Sequence, residues 1–84
     1  MGNLIQRATK KSEKILVKLR QLREEKRYSR ETIAEFLDID TSTYTRIENG
    51  QSHLRMDTFF AITEILGVSP TSLFVEEEPY TFII

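Results

Sequence analysis

Between Arg30 and Gly50 the chain reads RETIAEFL, then DID, then TSTYTRIENG. Two short amphipathic segments flank a break formed by Asp38, Ile39 and Asp40. Ile33, Ala34 and Leu37 share one stripe at the i, i+1, i+4 spacing of a helix face. After the break, Tyr44 and Ile47 repeat a face at i, i+3, while Thr41, Ser42, Thr45 and Arg46 fall mainly on the other side. This layout predicts a helix-turn-helix, in which the second helix is offered to the DNA major groove. Serine and threonine bond to any base edge, and arginine bonds bidentately to guanine, so the outer side of the second helix suits base reading. An ordinary helical hairpin with a polar outer face has the same spacing, and spacing alone leaves both readings open.

The flanking sequence predicts more helices. Helix 1 is expected over 12–27, with Leu16, Leu19 and Leu22 inward and Ile15 beside them. Nothing between Leu4 and Lys11 breaks a helix, so an earlier start is open. Ser29 is the expected N-cap of helix 2, and Asp40 or Thr41 that of helix 3. Gly50 supplies the backbone freedom that ends helix 3. Helix 4, over 56–66, is expected to bury Phe59, Ile62 and Leu66 together with Met56, Phe60 and Ile65. Gly67 stops it, Ser69 and Pro70 start a fifth helix, and Leu73 and Phe74 close the core.

On these residues the chain resembles the lambdoid repressor and Cro family, the XRE-type helix-turn-helix domains. The likeness runs from about Ile15 to Phe74. It is carried by Leu22-Arg23 in helix 1, Ile33-Ala34 in helix 2, Ile47-Glu48-Asn49-Gly50 ending helix 3, and Leu66-Gly67-Val68-Ser69 with Leu73. Departures are Arg30 where the family usually has Gln, Arg27 and Asp38 where it often has Gly, and Leu54 where Pro is common. Asp occupies left-handed backbone at modest cost, so the turn is expected to survive. The resemblance implies an all-α, five-helix, lambda-repressor-like bundle over residues 12–75; the charge and composition of the flanks add a basic arm or helix extension (1–11) before it and an acidic, then apolar tail (76–84) after it. It also implies a sequence-specific transcription regulator, more often a repressor, acting as a homodimer on an inverted repeat of double-stranded DNA. Bases would be read by Thr41, Ser42, Thr45 and Arg46. Phosphates would be held by Ser29, Arg30, Thr43 and Asn49, with His53 and Arg55 as further candidates. Tyr44 is expected to pack its ring toward helix 2 and leave its hydroxyl to reach phosphate. Arg23 and Glu48 match a helix 1 arginine and a helix 3 glutamate that form a largely buried ion pair in family members.

Charge is divided unevenly. The 84 residues carry a net charge of −1. Residues 1–30 nevertheless hold ten Lys/Arg against three Glu, a surplus of seven, and residues 31–84 hold two Arg against ten acids, a deficit of eight. Arg7, Lys10, Lys11 and Lys14 read as a phosphate-facing arm, with Lys10 and Lys11 as the contacts, or as a solvated helix face. Lys18, Arg20 and Lys26 read as a solvated face.

With no cysteine and one histidine, His53, the chain lacks the parts of a zinc site or a nucleophile–base pair. There is no Gly-rich phosphate loop, so no cofactor, metal or enzymatic activity is expected. No apolar run approaches the roughly 18 residues of a membrane span, and the N-terminus does not read as a signal peptide. A cytoplasmic, nucleoid-associated protein is expected.

The tail, VEEEPYTFII, sets Glu76, Glu77 and Glu78 before Pro79 and a β-prone apolar run. Tyr80, Phe82 and Ile84 alternate with Thr81 and Ile83, as in a strand with an apolar face. Such a run pairs with a second copy, making it the dimerisation element, or folds back over its own domain. The glutamates would then sit near their symmetry mates or near basic helix 1, the second being electrostatically preferable. Two other functions share these features: the antitoxin of a toxin–antitoxin pair, whose tail holds a partner protein, and a protein-interaction module that has given up DNA. Asp38 and Asp40 beside helix 3 are the argument for the latter.

Overall fold

The computed structural model describes residues 3–74. Four α-helices follow one another: α1 (Leu4–Glu25), α2 (Arg30–Leu37), α3 (Thr41–Glu48) and α4 (Met56–Leu66). A 3-10 segment, Pro70–Phe74, closes the series. No strand occurs among the described residues. The expected fifth helix begins at the expected proline, but it is a 3-10 turn of five residues and not an α-helix. The tail expected to form a strand lies outside the described residues.

Helix α1 starts eight residues before the first expected position. Asn3 sets that start: its Oδ1 accepts from the backbone N–H of Ile5 at 2.9 Å and of Gln6 at 3.2 Å. The first half of the helix, through Lys14, is solvent-exposed throughout, and core packing begins only at Ile15 and Leu16. Ser29 caps α2 by accepting from Thr32 N–H at 3.0 Å. Asp40 takes the N-cap position of α3 without making a side-chain cap bond.

Every helix ends the same way. The chain turns left-handed at Arg27 (φ 60°), Asp38 (φ 57°), Gly50 (φ 79°) and Gly67 (φ 69°). The residue after each donates back into the last turn: Tyr28 N–H to Arg23 O, Ile39 N–H to Ala34 O, Gln51 N–H to Arg46 O, and Val68 N–H to Thr63 O. Asp38 and Gly67 do what the sequence led one to expect. At Gly50 a Cβ would sit 3.5 Å from Leu16 Cδ1, an ordinary contact, so the positive φ and not crowding is what calls for glycine there.

The core is made by Leu19 of α1, Ile33 and Ala34 of α2, Tyr44 of α3, Phe59, Ile62 and Leu66 of α4, and Leu73. Ile15, Leu16, Leu22, Leu37, Ile39 and Ile65 pack around it. Three side chains expected inside are not. Met56 is 61% exposed, Phe60 49% and Phe74 53%. Phe60 lies about 100° round α4 from Phe59, beyond the width that α1 and α2 cover. Met56 occupies the first position of α4, and Phe74 the last of the 3-10 segment, where the ring rests on the edge of Phe59 at 5.6 Å between centroids.

Candidate nucleic-acid interface

Helix α3 divides into two faces as its spacing requires. Tyr44 and Glu48 are buried and Ile47 nearly so. Thr41, Ser42 and Arg46 are exposed, and Thr43 and Thr45 are half-buried. The Thr45 hydroxyl donates to Thr41 O at 2.9 Å, which fixes its rotamer and turns its lone pairs outward as an acceptor. Together these residues form a short polar ridge with one guanidinium.

Glu48 anchors this ridge from behind. Its side chain is 1% exposed. Arg23 donates to it twice, Nε to Oε2 at 2.8 Å and Nη2 to Oε1 at 3.0 Å. Arg30 Nε donates to Oε1 at 3.1 Å, and the Tyr44 hydroxyl also bonds to the carboxylate. Arg23 uses its remaining nitrogen, Nη1, to donate to Tyr28 O at 2.8 Å in the turn between α1 and α2. One carboxylate thereby ties α1, α2 and α3 together. Burial by itself would raise the Glu48 pKa, but the bonds from Arg23, Tyr44 and Arg30 outweigh it and hold the carboxyl below its ordinary value. Arg23 is shifted upward, chiefly by its bond to Glu48. Burial, followed by the bond to Glu48, raises the Tyr44 phenol far above its usual range.

This arrangement corrects the expectation for Tyr44. The residue is 1% exposed and its hydroxyl is turned inward to Glu48, so it reaches no phosphate. The pairing of Arg30 with Glu48 went unseen in the sequence, because nothing in residues 18 apart signals contact across two helices. Arg30 nevertheless remains accessible, its side chain 40% exposed. Only Nε is spent on Glu48, which leaves the outer nitrogens of the guanidinium for another anion.

Ser29, Arg30 and Asn49 gather at the C-terminal end of α3, since Arg30 is bonded to the residue that precedes Asn49. His53 and Arg55 are exposed on the loop that follows, and Arg55 Nη2 lies 3.2 Å from Asp57 Oδ2. Asp38 and Asp40 are exposed at the opposite end of α3.

The basic residues of α1 separate by face. Thr9, Ser12, Leu16 and Arg20 line a surface groove shared with Asn49, Gly50 and His53. Arg7, Lys11, Lys14 and Lys18 form a stripe two residues out of step with these, about 200° round the helix, and Lys10 flanks it. Lys11 lies on the side away from the loop after α3, whereas Lys10 stands between the two faces, three and seven residues before the groove-lining Glu13 and Val17. The cation that α1 does turn toward that loop is Arg20, which the sequence had placed on a solvated face; its i+4 relation to Leu16 is the signal that could have found it.

Among the described residues no group of His, Asp or Glu is arranged to hold a metal ion, and no helix is long and apolar enough to cross a membrane.

Comparison with protein-family models matches residues 19–73 to a helix-turn-helix family. That span covers α2, α3 and α4 and most of the core. The chain belongs to this family, the XRE-type or Cro/C1 helix-turn-helix proteins, and is a DNA-binding transcription regulator of that type. Comparison with curated proteins and with solved structures gives no match.

Proposed function

We propose that the protein is a sequence-specific repressor that binds an inverted repeat of double-stranded DNA as a homodimer in the cytoplasm. The observation that carries this reading is the exposed ridge of Thr41, Ser42, Thr45 and Arg46, backed by a fully bonded Glu48. A base-reading helix must hold its side chains in fixed register with the groove, and a buried ionic anchor at its end supplies that stiffness. Thr41, Ser42, Thr45 and Arg46 read base edges. Ser29, Arg30, Thr43 and Asn49 hold phosphates at the helix ends, joined by His53, Arg55 and Arg20 along the following loop. Tyr80, Phe82 and Ile84, outside the described residues, join the two copies.

Selection of bound fragments from random duplex DNA tests the reading. Enrichment of an inverted repeat with half-sites about one helical turn, roughly 34 Å, apart is expected. No enrichment over unselected duplex would sink it. Replacing Tyr80, Phe82 and Ile84 by serine should give a monomer in sedimentation, and a persisting dimer would move the interface elsewhere.

A further inference from the structure

Of the four left-handed residues that follow the helices, three suit that backbone. Gly50 and Gly67 take it freely, and Asp38 tolerates it. Arg27 is the exception. A long side chain at φ 60° carries a conformational cost that glycine avoids. No bond inside the molecule offsets that cost. Arg27 is exposed, and among the described residues its guanidinium makes no hydrogen bond and no ion pair. Glu24, Glu25 and Glu31 are near in sequence, yet it pairs with none of them. Residues in such sparsely populated backbone regions cluster where a binding or catalytic site uses them.

The turn that carries Arg27 is fixed against the anchor of α3. Arg27 N–H donates to Glu24 O at 3.0 Å, and Tyr28 N–H to Arg23 O at 3.0 Å. Arg23 bonds Tyr28 O through Nη1 at 2.8 Å and Glu48 through its other two nitrogens. Arg30 bonds the same Glu48 from the far side of the turn. Arg27 thus stands between two arginines held on one carboxylate. Arg23 is spent inside the fold and Arg30 in part, whereas Arg27 keeps its whole guanidinium for solvent. We propose that Arg27 is a further phosphate-holding residue, engaging the DNA strand beside the phosphate held by Ser29 and Arg30. This rests on the DNA-binding reading above and adds a contact to it. The spacing fits. Three chain steps put the Cα atoms of Arg27 and Arg30 within roughly 11 Å of each other. Phosphates of one strand succeed one another every 3.4 Å or so of helix axis, so neighbouring phosphates lie within reach of both side chains.

The salt dependence of DNA binding by the full chain tests this, with melting temperature measured on the same variants. Arg27→Gly relieves the backbone, so it should melt no lower than the wild type. Its slope of log affinity against log salt should nevertheless fall by roughly 0.9. Its deficit against the wild type should then shrink about three- to fourfold between about 50 and 200 mM salt, on the selected site and on random duplex alike. Arg27→Lys keeps the charge and should keep the slope. An unchanged slope in Arg27→Gly, beside a wild type that binds DNA, would overturn the proposal and leave the DNA-binding reading standing. If the melting temperature fell as well, the arginine would belong to the C-terminal end of α1, whose dipole favours a cation. An equal fall in slope for Lys14→Gln, on the other face of α1, would reduce the effect to net charge and equally overturn it. A wild type that binds no duplex would remove the reading and the proposal together.

Discussion

Arg30 and Glu48 meet across α2 and α3 through a 3.1 Å bond from Nε to Oε1, and this bond joins the fold's ionic anchor to its surface. On one side Glu48 is sealed among Arg23 and Tyr44. On the other, Arg30 presents its outer nitrogens to solvent from the first turn of α2. The guanidinium is therefore held in one orientation before any anion arrives. Little side-chain freedom remains to be lost when a phosphate binds.

Arg30→Gln should keep the fold, because Arg23 still satisfies both oxygens of Glu48. If Arg30 holds one phosphate, the slope of log affinity against log salt should fall by roughly 0.9. An unchanged slope with a lower melting temperature would make Arg30 a purely structural partner.

Removing Arg23 should be far more damaging to stability. Its loss leaves a carboxylate that is 1% exposed with only one bond from the partly exposed Arg30 and one from Tyr44, and breaking a buried pair from one side typically costs about 3–5 kcal/mol. Thermal unfolding of Arg23→Ala measures this. At a temperature where the variant is still folded, Arg30 and Tyr44 still hold Glu48 and with it the end of α3, so most of its DNA affinity should remain.

Acid should weaken the wild type through the same carboxylate. Glu48 has a folded pKa below its ordinary value, so its ionised form stabilises the fold at all pH values above the unfolded pKa. That contribution shrinks as pH falls below the unfolded value and is gone once pH passes below the folded one. Glu48→Gln should be less stable than wild type at neutral pH, and the gap in melting temperature should close as the solution is acidified. A gap independent of pH would mean that the charge of Glu48 contributes nothing.

Arg46 is the one cation on the exposed face of α3. A bidentate contact from arginine to guanine is worth about 1–3 kcal/mol of discrimination. Arg46→Ala should therefore weaken binding to the selected site much more than to random duplex. Equal losses on both would reassign Arg46 to the backbone.

The turn after α1 offers a stabilising change. Arg27 holds φ at 60°, a conformation that costs a side-chain-bearing residue roughly 1–2 kcal/mol and glycine little. After glycine's own entropy loss, Arg27→Gly should gain up to about 1 kcal/mol, read as a rise of several degrees in melting temperature. A lower melting temperature would show that the arginine side chain contributes more than its backbone costs.

What could be read from the sequence divides along physical lines. Local rules located the Ser29 cap, the left-handed Asp38 and the stop at Gly67, because each depends on a few adjacent residues. The amphipathic stripes located α2 and α3 for the same reason. Met56 and Phe60 misled because hydrophobicity marks what can be buried, whereas exposure depends on how much of α4 the neighbouring helices cover. Arg30–Glu48 and the inward hydroxyl of Tyr44 depend on how α2 crosses α3, which no single segment encodes. The face of the α1 lysines was hidden by a count of charge, which carries no direction; the 3.6-residue period restores it.

The four left-handed stops have a consequence for how such a molecule can change. Each joint between helices is closed by a main-chain donor reaching back to a main-chain carbonyl, and at three of the four the next side chain, Tyr28, Ile39 or Val68, packs against the core. None of these joints involves Thr41, Ser42 or the Arg46 side chain. The pose of α3 is thus set independently of the letters it displays. A new target could be acquired by rewriting a handful of outward positions, with no adjustment required in the hinges that hold them.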